Sequence, residues 1–293
     1  MSKLRIFLTG GNGFIGRNIM EQLGEKYTIL TPSHEELELT DAESAHRYFV
    51  DHPVDVVIHT ANVGGNLGEK DFLSPAVYNL RIFFNLVRNS RYFKKFIYLG
   101  SGTQYGKQAP IVKVKEADFD KRLPADDFGL YKYACAKYIE ESQDQMINLV
   151  LFGIYGKYEP YSFRFISNSL CRALFDLPLT ISQNTYFDYL YIDDFVSILE
   201  YFIENNPKKR TYNVGTGKQI DLLTIAKRVI EITGKKLEIK IAQKGFKDEY
   251  TCDNSRLMNE LGHFTFTDFN ETLKQLYAWY ESRKSSLDKN SLI

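Results

Sequence analysis

Three evenly spaced glycines constrain this chain more than any other feature. Gly10, Gly13 and Gly16 stand in Thr9-Gly10-Gly11-Asn12-Gly13-Phe14-Ile15-Gly16. A short apolar run, Leu4 to Leu8, precedes them. Phe14, Ile15, Ile19, Met20 and Leu23 come next, at the spacing of one helix face. The segment therefore predicts a turn between a buried strand and a helix. Missing side chains let a ligand approach the backbone, and the first N–H groups of the helix favour an anion such as a phosphate. The spacing is G-x-x-G-x-x-G rather than the common dinucleotide fingerprint, and a tight βα turn without a ligand would read the same. Its place directly after the first strand tips the reading towards nucleotide binding.

Beyond the first helix the chain alternates. The pattern predicts strands at Tyr27–Thr31, Val54–His59, Lys95–Leu99 and Asn148–Phe152. Between them it predicts helices at Ala42–Val50, Pro75–Asn89 and Asp127–Gln143. Wholly apolar strands separated by helices mean a parallel sheet covered on both faces, a doubly wound, Rossmann-like α/β fold. Ligands of such sheets bind at the carboxyl ends of the strands. The stretches of interest are thus Thr9-Gly10, Thr31–His34, His59–Asn62, Gly100–Thr103 and Phe152–Gly156.

After Tyr155 the texture becomes more aromatic and polar, with shorter elements. Helices are expected at Phe163–Leu174, Asp193–Ile203, Leu222–Thr233 and Glu271–Lys284, and a frayed tail from Ser285. The expected organisation is a dinucleotide-binding domain over 1–156, to which segments near 189–214 return, and a smaller mixed α/β substrate lobe over 157–293. A substrate would lie where the lobe closes over the sheet edge.

Composition excludes several function classes. The 37 Lys and Arg balance 37 Asp and Glu, which argues against nucleic acid or a membrane surface as partner. No apolar run approaches a membrane span, and Met1-Ser2-Lys3 leads into a strand without a signal peptide, so a cytoplasmic location is expected. Cys135, Cys171 and Cys252 are scattered, which suits a reducing compartment. The five histidines form no spaced pair, and no metal site is expected.

Taken together, Thr9–Gly16, Thr60-Ala61-Asn62, Gly100–Gly106, Phe128–Lys132, Tyr155-Gly156, Tyr191–Asp194, Asn213–Gly217 and Asp253–Gly262 occur in a family's order. The chain resembles the extended short-chain dehydrogenases/reductases that act on nucleotide sugars, over nearly its whole length. Glu36–Asp41 and Asn62-Val63-Gly64-Gly65 make it most similar to the 4-keto-sugar reductases, of the GDP-fucose synthase and CDP-abequose synthase type. The resemblance implies NAD(P)H-dependent reduction of the C4 keto group of a nucleotide-diphosphate sugar, in deoxysugar or surface-polysaccharide biosynthesis. It also implies a homodimer built on the helices containing Ile82–Val87 and Tyr133–Glu141.

The implied chemistry uses a Tyr as proton donor, a Lys four residues on, and a Ser or Thr at a strand end. The resemblance puts the last of these at Ser101 and a substrate contact at Thr103. Phe128…Lys132 and Tyr133…Lys137 both compete for the Tyr–Lys slot. Lys137 leaves too little helix to recross the sheet, and the run from Pro124 to Lys132 matches the family context, so Phe128 takes the Tyr position. Phe removes the donor. Either a Tyr has been replaced there, as in a chain altered to trap a complex, or another group serves. Tyr131 lies about 60° from Phe128 around the helix and Tyr133 about 140°, at about 100° per residue, so Tyr131 is the better substitute.

Further cofactor contacts are expected from Gly10, Gly13, Phe14, Ile15, Gly16, Ala61, Asn79 and Lys132, and from Ser33 at the end of the second strand. Thr31-Pro32-Ser33-His34 holds no carboxylate to repel a 2′-phosphate, although Glu35 comes directly after it, so NADP(H) is favoured over NAD(H). Arg164 is a candidate for the substrate diphosphate. Gly102-Thr103 lacks the Asp-Glu pair of sugar dehydratases. A second reading is a 4-epimerase with tightly held NAD. A third is a catalytically silent nucleotide-sugar binding protein.

Overall fold

Side chains that are apolar on both faces of a strand need cover on both faces, and the first half of the chain is built to that rule. The computed structural model describes residues 3–64 and 75–292. In chain order it forms β1 (Arg5–Thr9), α1 (Phe14–Leu23), β2 (Thr28–Leu30), α2 (Ala42–Asp51), β3 (Val56–His59) and α3 (Pro75–Val87). Then come β4 (Lys95–Ser101), β5 (Ile111–Val114), α4 (Asp127–Glu141) and β6 (Met146–Leu151). The next stretch forms β7 (Gly153–Tyr155), α5 (Phe165–Leu174), β8 (Leu179–Asn184), β9 (Tyr186–Phe187), β10 (Tyr189–Tyr191), α6 (Ile192–Glu204) and β11 (Thr211–Val214). The last elements are β12 (Ile220–Asp221), α7 (Leu222–Thr233), β13 (Ile239–Phe246), β14 (Tyr250–Cys252), α8 (Ser255–Leu261) and α9 (Phe269–Glu281).

The chain divides into two units. The first is Met1–Ala109, Lys115–Leu151 and Leu199–Asn213. Its centre is a six-stranded parallel sheet in the order β11-β6-β4-β3-β1-β2, the doubly wound arrangement expected from the sequence. Phe7 pairs with Val57, Ile58 with Ile97, and Tyr98 with Asn148. The order reverses at β1 and β3, so Thr9 and His59 end side by side at the crevice where such sheets bind ligands. Phe7, Phe49, Val57, Phe83, Phe96, Tyr98, Tyr131 and Ile139 belong to one buried cluster, so the core runs directly beneath α4. Asp126 starts α4 by accepting the Gly129 N–H at 2.8 Å.

The second unit is Pro110–Val114, Phe152–Ile198 and Val214–Ile293. Its described residues form three small sheets, β10-β7, β12-β9-β14-β5 and β13-β8. Polar side chains tie its short pieces together. Asp188 accepts from Thr216 Oγ1 at 2.6 Å and Gly217 N at 2.8 Å, and Asp194 accepts from Thr267 Oγ1 at 2.7 Å. The tail is not frayed, contrary to the expectation from its polar sequence. Residues 284–286 and 289–292 form short 3₁₀ turns, Leu292 is buried, and Arg172 donates to its carbonyl.

Candidate functional site

The glycine turn is sterically closed to other residues. A Cβ on Gly16 would lie 2.1 Å from the Gly10 carbonyl oxygen and 2.7 Å from Gly11 Cα, both backbone. Gly10 has φ +71°, and a Cβ there would meet Thr60 Oγ1 at 2.8 Å and Ala61 Cα at 2.9 Å. The Gly13 N–H closes the turn on the Gly10 carbonyl at 2.9 Å. Gly13 is also the N-cap of α1 and supplies no side-chain cap, so the first-turn amides of Phe14, Ile15 and Gly16 have none from it.

Beside this turn the end of β3 is pinned. Thr60 Oγ1 donates to the Thr9 carbonyl at 2.6 Å, and the Ala61 N–H donates to Thr9 Oγ1 at 3.1 Å. His59 Nδ1 lies 2.8 Å from the same Thr9 hydroxyl oxygen. Burial, then the neighbouring Lys132 charge, hold the His59 imidazole down at about 3, so it is neutral. Asn79 is buried and acts on the loop after β3: its amide accepts from Val63 N and donates to the Val63 and Pro75 carbonyls, each within 2.9 Å. Gly65 of the Asn62–Gly65 cue lies outside the described residues.

After β2, Ser33 is exposed, and its backbone N–H donates to Glu36 Oε2 at 2.7 Å. The Ser33 N–H and hydroxyl hold the Glu36 carboxyl below its usual range. The sequence draws attention to Glu35, but it is the Glu36 carboxylate that reaches the turn.

Ser101 ends β4. Its hydroxyl oxygen accepts from the Thr103 N–H at 3.3 Å. Thr103 is buried, and its Oγ1 has no hydrogen-bond partner among the described residues. Facing this strand is α4. Lys132 is buried, and its Nζ donates to the Leu99 carbonyl at 2.7 Å, two residues before Ser101. Three rings surround the ammonium: Tyr98 at 4.7 Å, Tyr131 at 5.2 Å and Phe128 at 5.9 Å from ring centroid to Nζ. Burial lowers the Lys132 pKa to about 8. Phe128 is 37% exposed and meets Tyr131 edge to face at 5.3 Å. The Tyr131 hydroxyl donates to Asn62 Oδ1, a partnership between α4 and the end of β3 that no local motif announces.

The competing pair sits elsewhere on the helix. Tyr133 donates to Asp120, and Lys137 forms an ion pair with the same carboxylate at 2.7 Å, both at the protein surface. Ser101, Phe128, Tyr131 and Lys132 thus gather at the ends of β3 and β4, whereas Tyr133 and Lys137 do not join them. Arg164 belongs to the second unit, where it is the N-cap residue of α5. It is mostly exposed, with Nε 4.0 Å from Glu159 Oε1. Among the described residues no cluster of side chains is arranged to hold a metal ion, and no helix is long and apolar enough to cross a membrane.

Known proteins share this fold. The family model described as the NAD dependent epimerase/dehydratase family matches residues 6–215. GDP-L-colitose synthase of Yersinia pseudotuberculosis is 24% identical over 257 residues, 80% of this chain and 83% of that protein. The structure of a GDP-mannoheptose C4 reductase from Campylobacter jejuni, with NADP bound, superposes with a TM-score of 0.79 at 22% identity, covering 96% of this chain and 99% of that one. A UDP-glucose 4-epimerase from Thermotoga maritima, with UDP-glucose, gives 0.82 at 24% identity, covering 97% and 100%.

Proposed function

Because the chain belongs to the NAD dependent epimerase/dehydratase family, we propose that it reduces the C4 keto group of a nucleotide-diphosphate sugar, in the making of a deoxysugar or surface polysaccharide. The observation that carries this reading is the buried Lys132, bonded to the Leu99 carbonyl just before Ser101. A buried ammonium beside a strand-end hydroxyl suits a polarised carbonyl oxygen. The names of the colitose synthase and the C4 reductase lend it support.

The glycine cradle supports a dinucleotide, since any side chain at Gly16 would collide with backbone. Gly10, Gly13, Phe14, Ile15 and Gly16 would hold its diphosphate, Ala61 and Lys132 its ribose side, and Asn79 would shape the loop. A reduced nicotinamide would supply the hydride. Ser101 and the unpartnered Thr103 hydroxyl would hold the sugar, and Arg164 its diphosphate. We favour NADP(H), with the Ser33 hydroxyl as donor to the 2′-phosphate. Glu36 must then leave the Ser33 N–H, a small rearrangement for an exposed side chain.

The protein is proposed to act as a homodimer through α3 and α4, where Phe84 and Tyr138 are 37% and 38% exposed and pack against each other with ring centroids 5.3 Å apart. Phe128 favours one other reading, a silent binding protein for nucleotide sugars. A panel of NDP-4-keto sugars offered with NADPH or NADH separates the two. Reduction gives a product heavier by two hydrogens and consumes reduced cofactor. Tight nucleotide-sugar binding with no consumption of either cofactor would reject the reductase reading.

A further inference from the structure

We propose that Lys132 is itself the catalytic acid of this chain: its ammonium, rather than a tyrosine hydroxyl, protonates the carbonyl oxygen as the sugar is reduced. This rests on the reductase reading above.

The ring that would carry the donor hydroxyl is Phe128, which has none. Lys132 Nζ lies 5.9 Å from the centre of that ring and has three N–H bonds. Leu99 accepts one of them, and the Tyr98, Tyr131 and Phe128 ring centroids lie 4.7, 5.2 and 5.9 Å from the nitrogen, so the remaining N–H bonds have no protein acceptor among these neighbours and stand beside the Phe128 ring. Tyr131 has a hydroxyl, but that hydroxyl donates to Asn62.

The sign of the burial effect separates the two groups. Losing a proton would turn Tyr131 into a phenolate in an apolar site, and burial already holds its pKa well above the usual value. Losing a proton turns Lys132 into a neutral amine, the form that burial prefers. The other titratable groups facing Lys132 are His59 on β3, Tyr98 on β4 and Cys135 on α4. His59 is held neutral, and burial raises both the Tyr98 hydroxyl and the Cys135 thiol, so none of them competes for the proton near neutrality.

The balance is simple. A bound reduced nicotinamide would supply the hydride to the carbonyl carbon and would be left oxidised. The C=O π pair forms a new O–H bond with a proton from Nζ, and one N–H bond of Lys132 breaks. The neutral amine regains a proton from water when the alcohol leaves.

Two measurements test this. In cofactor-free protein labelled with ¹³C-lysine, the resonance missing from Lys132→Arg should titrate near pH 8, as burial sets it. Titration at the ordinary lysine value of 10.5 overturns the proposal. In turnover, the parent rate should be level below pH 8 and fall above it. Lys132→Arg keeps a cation but cannot release a proton, so at saturating dinucleotide its kcat should fall about 10²–10⁴-fold. Lys132→Met, close to isosteric, guards against misfolding of the Arg variant and should lose as much. Tyr131→Phe should stay within about tenfold. Rescue by Arg, or the main loss at Tyr131→Phe, overturns the assignment. If Phe128→Tyr reduces a keto sugar and the parent does not, the reductase reading survives and the Lys132 proposal fails. If neither reduces any, both fall.

Discussion

Replacing Lys132 by Met should stabilise the fold while removing the chemistry. The drop in the Lys132 pKa from 10.5 to about 8 corresponds to about 3 kcal/mol of unfavourable charge burial at neutral pH. Met fills a similar volume, and its sulfur suits the ring faces of Tyr98, Tyr131 and Phe128. The Leu99 carbonyl loses its 2.7 Å partner, which costs about 1–3 kcal/mol. The net expectation is a gain of about 1–2 kcal/mol at neutral pH. The pH dependence is sharper. Between about 8 and 10.5 the unfolded chain binds a proton at Lys132 that the folded chain does not, so the parent gains stability as pH rises through that window. The variant lacks that gain, and its advantage should vanish by the upper end. Urea denaturation of both cofactor-free proteins at a series of pH values from 7 to 11 measures the difference, in which titrating groups out of reach of Lys132 cancel. A difference that stays constant with pH, or a variant less stable than the parent at neutral pH, would refute the charge-burial reasoning.

Other outcomes depend on single contacts. Phe128→Tyr restores a hydroxyl at the Tyr position that the family resemblance implies and should raise keto-sugar reduction, by up to about 10²-fold, with cofactor affinity unchanged in a fluorescence titration; no rise, with turnover abolished by Tyr133→Phe, would move the motif to Lys137. Glu36→Gln removes the carboxylate from the Ser33 N–H and should tighten NADPH more than NADH in the same titration; equal changes would remove Glu36 from cofactor selection. Tyr138→Glu puts a charge on the exposed Phe84–Tyr138 pair and should convert a dimer to a monomer by light scattering; a parent that is already monomeric would reject the interface.

The doubly wound sheet was legible because its signals are local. β1 and the glycine turn stand side by side in sequence, and β3, β4 and β6 are mostly apolar and buried along nearly their whole length. The second unit was less legible. β5 pairs with β14 across more than a hundred residues, and both are short and carry polar groups such as Lys113 and Thr251. β13 alternates only at Ile239-Lys240-Ile241 and is exposed over most of its length, so its register against β8 defines it. The tail reads as polar, yet Leu292 is buried. At the candidate site the same division holds. The residues of α4 share a helix and could be grouped by angle around it. The Asn62–Tyr131 contact and the Tyr98 ring over Lys132 depend on the folded backbone and have no pattern in the sequence; the Glu36 carboxylate on Ser33 does have one, the S-x-x-E spacing of a capping box, with each residue's backbone N–H bonded to the other's side chain.

The central claim is that this chain transfers a hydride to a nucleotide-sugar carbonyl. The most direct test offers NDP-4-keto sugars together with reduced nicotinamide dinucleotide carrying deuterium at its transferable position, and tracks the sugar by mass and NMR. The account predicts one deuterium at sugar C4 for each dinucleotide oxidised, with the label absent from every other carbon. Tight sugar-nucleotide binding with no deuterium in any product, or oxidation of the dinucleotide with the label at a carbon other than C4, would contradict it.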